Sequence, residues 1–185
     1  MRLHLGMADI VYSSFPRTEP PKPFAVSVVE VFRAKADRIS TVELEKGLES
    51  NEVMLELADG LEGLGFQVER SKKAADKIHR PVFFGDNGQP VVQYQIDAYH
   101  TGWRCGLEIE AGCAWMGNAV YRDLIQSLVM VELDHLILAV PQTYKYLSNG
   151  QLLISRDFDK TKALVETLYG HTRMKLPYSL TLIGY

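Results

Sequence analysis

Only two cysteines, Cys105 and Cys113, occur in the 185 residues. So few thiols cannot make a disulfide scaffold, and the pair lacks the double spacing of a structural zinc site, so a reducing, cytoplasmic setting is expected. Neither charge is in excess. With 20 basic and 23 acidic residues the formal net charge is -3, which excludes an overall basic field as the means of holding nucleic acid; such binding would need a local patch. Uncharged apolar runs are short, which excludes a membrane-spanning helix. At the N-terminus Arg2, Leu3 and Leu5 begin an apolar stretch, but His4 and Asp9 interrupt it before it reaches the length of a signal-peptide core, so export is not expected. Internal repeats and low-complexity tracts are absent.

Apolar residues, by contrast, make up 46% of the chain, enough for a sizeable single core. Pro20, Pro21 and Pro23 lie close together in residues 14 to 23, which reads as an extended arm. The expected organisation is an N-terminal segment and arm over residues 1–24 and one domain over 25–185. Val28, Val29, Val31 and Phe32 suit a short buried helix over residues 25 to 35. From Ser50, a plausible N-cap, Val53, Met54, Leu57, Ala58, Leu61 and Leu64 follow helical spacing up to Gly65. Phe66 and Val68 then alternate with Gln67 and Glu69 as in a half-buried strand.

Residues 81 to 97 read as a hairpin turning at Gly85-Asp86-Asn87-Gly88. Residues 103 to 110 add a third strand after His100-Thr101-Gly102, and these short loops predict an antiparallel meander. Beyond Gly117 the period changes: Val120, Leu124, Leu128, Val129, Val131 and Leu133 predict a helix of about four turns. Leu136-Ile137-Leu138-Ala139-Val140 is an apolar run ended by Pro141, the mark of a strand covered on both faces. A helix over residues 157 to 169 and a strand over 178 to 183 complete an α/β reading, a mixed sheet flanked by helices.

Alternation within the third strand sends Glu108 and Glu110 to one face and Leu107 and Ile109, with Cys105, to the other. Cys105 is therefore expected in the core. A turn near residues 100 to 103 brings Asp97 beside residues 106 to 108. Three carboxylates so close repel one another unless solvent or a cation relieves them, and an all-oxygen donor set suits Mg²⁺ or Mn²⁺ rather than zinc. The same residues on an open, solvated sheet face would carry no chemistry at all.

The succession Ile96-Asp97, Glu108-Ile109-Glu110, the helix with Tyr121-Arg122-Asp123, and the apolar strand ending at Pro141 resembles the PD-(D/E)xK nucleases, most of all restriction endonucleases of the BglII and BamHI type. The resemblance covers residues 50 to 141 and implies a restriction-endonuclease-like αβββαβ core. It implies that Asp97 and Glu108 bind the metal and that Glu110 stands where the motif has lysine. Ile96 stands where the motif has proline; the BamHI-like branch tolerates both departures. An acidic residue from the first core helix joins the site in some members of the fold, and Glu52 and Glu56 are the candidates here.

A basic run of Arg70, Lys72, Lys73, Lys77 and Arg80, with His79, lies between two predicted strands. It suits either phosphate contact or a solubilising loop. Arg122 is placed to reach a phosphate or to pair with Asp123. His135, beside Asp134 and before a buried strand, is expected to be structural. The expectation is a Mg²⁺- or Mn²⁺-dependent endonuclease acting on double-stranded DNA as a homodimer. The alternatives are an inactive nucleic-acid-binding or assembly module of the same fold, and a housekeeping or RNA nuclease.

Overall fold

The computed structural model describes residues 10–42, 44, 47–112, 114–115 and 117–185. Arg2 to Asp9 and Cys113, on which part of the reading above rests, lie outside the described residues. Among the described residues ten strands and five α-helices follow in the order β1 (Val11–Phe15), α1 (Pro23–Arg33), α2 (Ala36–Ile39), α3 (Ser50–Gly63), β2 (Gln67–Val68), β3 (Ile78–Phe84), β4 (Pro90–Ile96), β5 (Ala98–His100), β6 (Cys105–Ile109), α4 (Ala119–Val129), β7 (His135–Val140), β8 (Tyr144–Ser148), β9 (Gln151–Ser155), α5 (Asp157–Gly170) and β10 (Ser179–Gly184). Among the described residues no helix is long and apolar enough to cross a membrane.

Six strands form a mixed sheet in the order β1-β10-β7-β6-β5-β2. The three central strands β10, β7 and β6 run parallel, while β1 on one side and β5 and β2 on the other are antiparallel to their neighbours. Every residue of β7 is buried, as its unbroken apolar run requires.

Strand alternation sorts the core into two layers. Cys105, Leu107, Ile109, Ile137, Ala139 and Ile183 face α1 to α3, packing on Val28, Val29, Phe32, Val53, Leu57 and Leu61. Leu136, Leu138, Val140, Leu180 and Leu182 face α4 and α5, packing on Val120, Leu124 and Val165. The molecule is thus a mixed α/β fold whose central sheet is covered by helices on both faces.

Several elements differ from the sequence reading. Glu49, not Ser50, is the N-cap of α3; its backbone N–H donates to Glu52 Oε2 at 2.8 Å, the return half of a capping box. Ser50 Oγ instead accepts from the Ala111 backbone N–H. The helix α4 is three turns rather than four, since the chain is already extended at Met130. Val11–Phe15, within the stretch expected to be a segment and arm, is an edge strand of the sheet paired along its whole length with β10.

The meander is also rearranged. Strands β3 and β4 pair only with each other, and the antiparallel partner of β6 is the three-residue β5, through Ala98↔Leu107, Tyr99↔Gly106 and His100↔Cys105. The hairpin leaves the sheet at Asp97. Gly106 makes room for this departure, because a Cβ there would stand 2.2 Å from Ile96 Cδ1.

His135 opens β7 and is structural, as expected. Its Nδ1 meets Ser179 Oγ at 2.7 Å and its Nε2 meets Thr181 Oγ1 at 3.1 Å, both on β10. Burial, and then the charge of Lys22, lower its pKa from 6.5 to about 4. The folded state therefore holds the imidazole neutral while the unfolded chain takes up a proton near pH 6.5. This contribution is complete above pH 6.5 and is lost as pH falls toward 4. Urea denaturation at pH 7 and pH 4.5 is expected to cost wild type about 2–3 kcal/mol more than His135→Gln, at ~1.4 kcal/mol per pKa unit. Equal losses in the two proteins would refute the assignment.

Candidate functional site

Asp97 sits at the joint where β4 becomes β5. The β5–β6 ladder ends at Ala98↔Leu107, and the next N–H along β6, that of Ile109, is taken by the Asp97 side chain, Oδ2 accepting at 2.8 Å. On its other side the Asp97 carbonyl accepts from the Glu69 N–H at 2.8 Å. A carboxylate that stands in for a missing ladder bond is held tightly. Glu108 is its neighbour across the pair, and both side chains line the same cleft.

Glu108 and Glu110 do share a face, the one under α4, but that face is not open to solvent. Each is only 8% exposed, which speaks against the alternative of an open, solvated sheet face. Beyond β6, Glu110 is anchored by its backbone: its N–H donates to Ala139 O, and its carbonyl accepts from the Tyr185 hydroxyl at 2.7 Å. Its side chain is held from α4, where Arg122 Nη2 donates to Glu110 Oε1 at 2.9 Å. The same guanidinium is 2.9 Å from Asp123 Oδ1.

A cleft of about 420 Å³ opens at this edge, walled by Asp97, Glu108, Arg122, Asp123 and Gln126, by Gln93 to Ile96 of β4, and by Glu69 and Lys77. Asp97 and Glu108 therefore meet in one cavity, whereas Glu110 lies behind it. Two acids that the sequence reading did not assign to the site, Asp123 and Glu69, complete the wall. Asp123 had a legible signal: it lies at i+3 from Val120, and Val120, Asp123, Leu124 and Ser127 are the buried stripe of α4. A carboxylate on the apolar face of an amphipathic helix calls for a partner.

No family model matches the chain, and no curated protein matches it in sequence. The chemistry of the site thus rests on its own geometry.

Burial is the leading influence on all four acids under α4. It raises Asp97 to about 6 against the opposing Ile109 N–H bond. Glu108 is pushed well above the usual carboxylate range by burial and by the charges of Asp97, Asp123 and Glu110. Glu110 is raised to about 8 by burial and by the adjoining Asp123 carboxylate, with Arg122 opposing. Asp123 is raised by burial, with Glu110 and Arg122 pulling the other way. Carboxyls in this state hold protons that a stronger cation can displace.

The donor set fits a hard divalent cation. Among the described residues no three acidic, histidine or cysteine side chains already converge as a metal-holding group. Mg²⁺, however, is commonly bound by one or two carboxylates with water making up the octahedron, and Asp97 with Glu108 supplies that pair.

The basic run is largely committed elsewhere. Arg70 is bonded to Asp59 and Glu62 at 2.7 Å; Arg80 pairs with Glu132 and lies over the Tyr99 ring, 3.9 Å from its centroid. Lys77 pairs with the buried Glu69 at the cleft wall. Lys72 and Lys73 have no ion-pair partner among the described residues. Neither helix acid reaches the cleft: Glu52 bonds the Glu49 N–H, and Glu56 pairs with Lys35 and Arg38 at 3.6 and 3.7 Å. Cys105 is fully buried in the core, as expected.

Proposed function

We propose that the chain is a divalent-metal-dependent endonuclease of the restriction-endonuclease-like fold, hydrolysing phosphodiester bonds in DNA. The observation that carries this reading is the meeting of Asp97 and Glu108 across β5 and β6 in one cleft that also holds an ammonium, Lys77. The succession of elements supports it. Set aside the β3–β4 hairpin, and α3, β2, β5, β6, α4 and β7 follow as αβββαβ, with β6 and β7 parallel.

Asp97 and Glu108 are the residues to hold Mg²⁺ or Mn²⁺. Such a cation lowers the pKa of a bound water and stabilises charge on a phosphate. Lys77 supplies the positive charge that Glu110 cannot, since Glu110 is buried behind the cleft and occupied by Arg122. Its partner Glu69, bonded through its N–H to the Asp97 carbonyl, ties the lysine to the metal-binding pair. A phosphate entering beside Lys77 meets a positive group within the same wall as the carboxylates.

Cutting both strands of a duplex calls for two such chains. Tyr121, Ile125 and Val129, exposed at successive turns of α4, form an apolar stripe suited to a second copy of the chain.

The test is incubation of the purified protein with supercoiled plasmid and with RNA in Mg²⁺ or Mn²⁺, and in EDTA. Metal-dependent plasmid linearisation or nicking is the expected outcome. Cleavage of RNA alone would move the substrate class, and a chain that binds but leaves both intact would be an inactive module of the fold.

A further inference from the structure

The cleft contains a third buried carboxylate, and it is not Glu110. Asp123 is 1% exposed, yet it lines the same cavity as Asp97 and Glu108. Its Oδ1 accepts from Arg122 at 2.9 Å, while Oδ2, equally buried, has no hydrogen-bond donor. A buried carboxylate oxygen left without a donor costs free energy, ~1–3 kcal/mol and more when charged. Ser127 Oγ, one turn further along the same face of α4, is also buried and unpartnered.

Arg122 does not account for this arrangement. A guanidinium that served only to neutralise Asp123 would engage both oxygens in a fork, whereas here it divides between Asp123 Oδ1 and Glu110 Oε1 and leaves Oδ2 without a donor. Around the cleft, Glu69, Asp97, Glu108 and Asp123 are opposed by only Lys77 and Arg122, and Lys77 is already paired with Glu69.

We propose that Asp123, carried by α4, is the third protein ligand of the divalent cation held by Asp97 and Glu108, and that Glu110 is a positioning residue which draws Arg122 aside. This inference rests on the cation reading of the cleft and adds a ligand to it. Both side chains come from one turn of α4, so one helix sets the ligand and its competing cation together. Arg122 holds Asp123 Oδ1 and so competes with a cation for that carboxylate alone.

The test is Mn²⁺ binding by isothermal titration calorimetry, with no nucleic acid and no activity readout. Asp97→Asn and Asp123→Asn, each isosteric, are compared with wild type and with Arg122→Gln, and circular dichroism in EDTA checks the fold. Asp123→Asn is expected to weaken Mn²⁺ at least about tenfold, as losses even at groups behind the ligands reach ~10–100-fold. Arg122→Gln removes the competitor and is expected to leave affinity unchanged or raise it. If Asp123 merely anchors Arg122, Arg122→Gln and Asp123→Asn will weaken binding alike, which overturns the proposal. Wild-type affinity in Asp123→Asn alongside its loss in Asp97→Asn overturns the proposal and leaves the Asp97–Glu108 cation reading standing. Absence of Mn²⁺ binding in wild type overturns both.

Discussion

Asp97→Asn and Glu108→Gln are each expected to lower metal-dependent cleavage about a thousandfold, and in EDTA to leave the protein as stable as wild type or more so. The first half follows from the proposed role. A cation at a transferring phosphate contributes several kcal/mol to the transition state, and ~4 kcal/mol at 1.36 per decade is a factor of about 10³. The second half follows from the electrostatics. Glu108 is buried among Asp97, Asp123 and Glu110, and all push its carboxyl toward neutrality. An amide has nearly the same volume and carries no charge, so it removes repulsion without opening a cavity. Asp97→Asn must also keep an oxygen toward the Ile109 N–H, which an amide carbonyl can do. Thermal melts in EDTA and plasmid cleavage in Mg²⁺ separate the two effects. A variant that melts well below wild type would trace its lost cleavage to folding; wild-type cleavage in both would end the assignment.

The parts of the fold that repeat a short period were legible. Alternation through Leu107, Glu108, Ile109 and Glu110 sorted the two faces of β6, because Leu107 and Ile109 do pack under α1 to α3. The apolar run before Pro141 announced a doubly covered strand for the same reason. What sequence could not show is where pairing stops. Strand β5 has three residues, too few for a pattern, and its pairing with β6 is what turns the β3–β4 hairpin out of the sheet at Asp97. Val11–Phe15 alternates weakly and is followed at once by Pro16, so the proline-rich stretch overshadowed an edge strand.

The site was legible in pairs and not as a whole. Asp97 and Glu108 follow from one hairpin turn and one alternation, both local. Glu110 shares Glu108's face, but one more residue carries it past the end of β6, where Arg122 captures it. Asp123 and Lys77 come from elements distant in the chain, and their convergence depends on how α4 lies over the sheet and how the hairpin folds back. Neither packing has a periodicity to read. A lone aspartate on a buried helical stripe was the one local mark, and it speaks for a partner without naming it.

The four buried acids also imply an unusual dependence of stability on pH. Asp97 and Glu110 have folded pKa values raised to about 6 and about 8 from their ordinary 3.8 and 4.5, and Glu108 is raised in the same direction. A group whose pKa is higher folded than unfolded contributes stability that is complete below its unfolded value and is lost as pH rises through its folded one. In EDTA the protein is therefore expected to lose several kcal/mol between about pH 5 and pH 9, at ~1.4 kcal/mol per pKa unit. His135 acts oppositely and only below pH 6.5, but one imidazole is outweighed by the several carboxyls, so these groups together make the metal-free protein lose stability from about pH 4.5 upward. A bound divalent cation changes the alkaline limb. It holds the carboxylates charged, and because it must displace protons to do so, it binds better as pH rises. Melting followed from pH 5 to 9, with EDTA and with millimolar Mn²⁺, should show the two curves nearly together at the acid end and widely apart at the alkaline end. Asp123→Asn, with one acid fewer in the cleft, should flatten the EDTA curve and narrow the gap. A metal-free protein whose stability climbs steadily to pH 9 would mean that burial and mutual repulsion do not hold the carboxyls protonated, the condition from which the cation site has been argued.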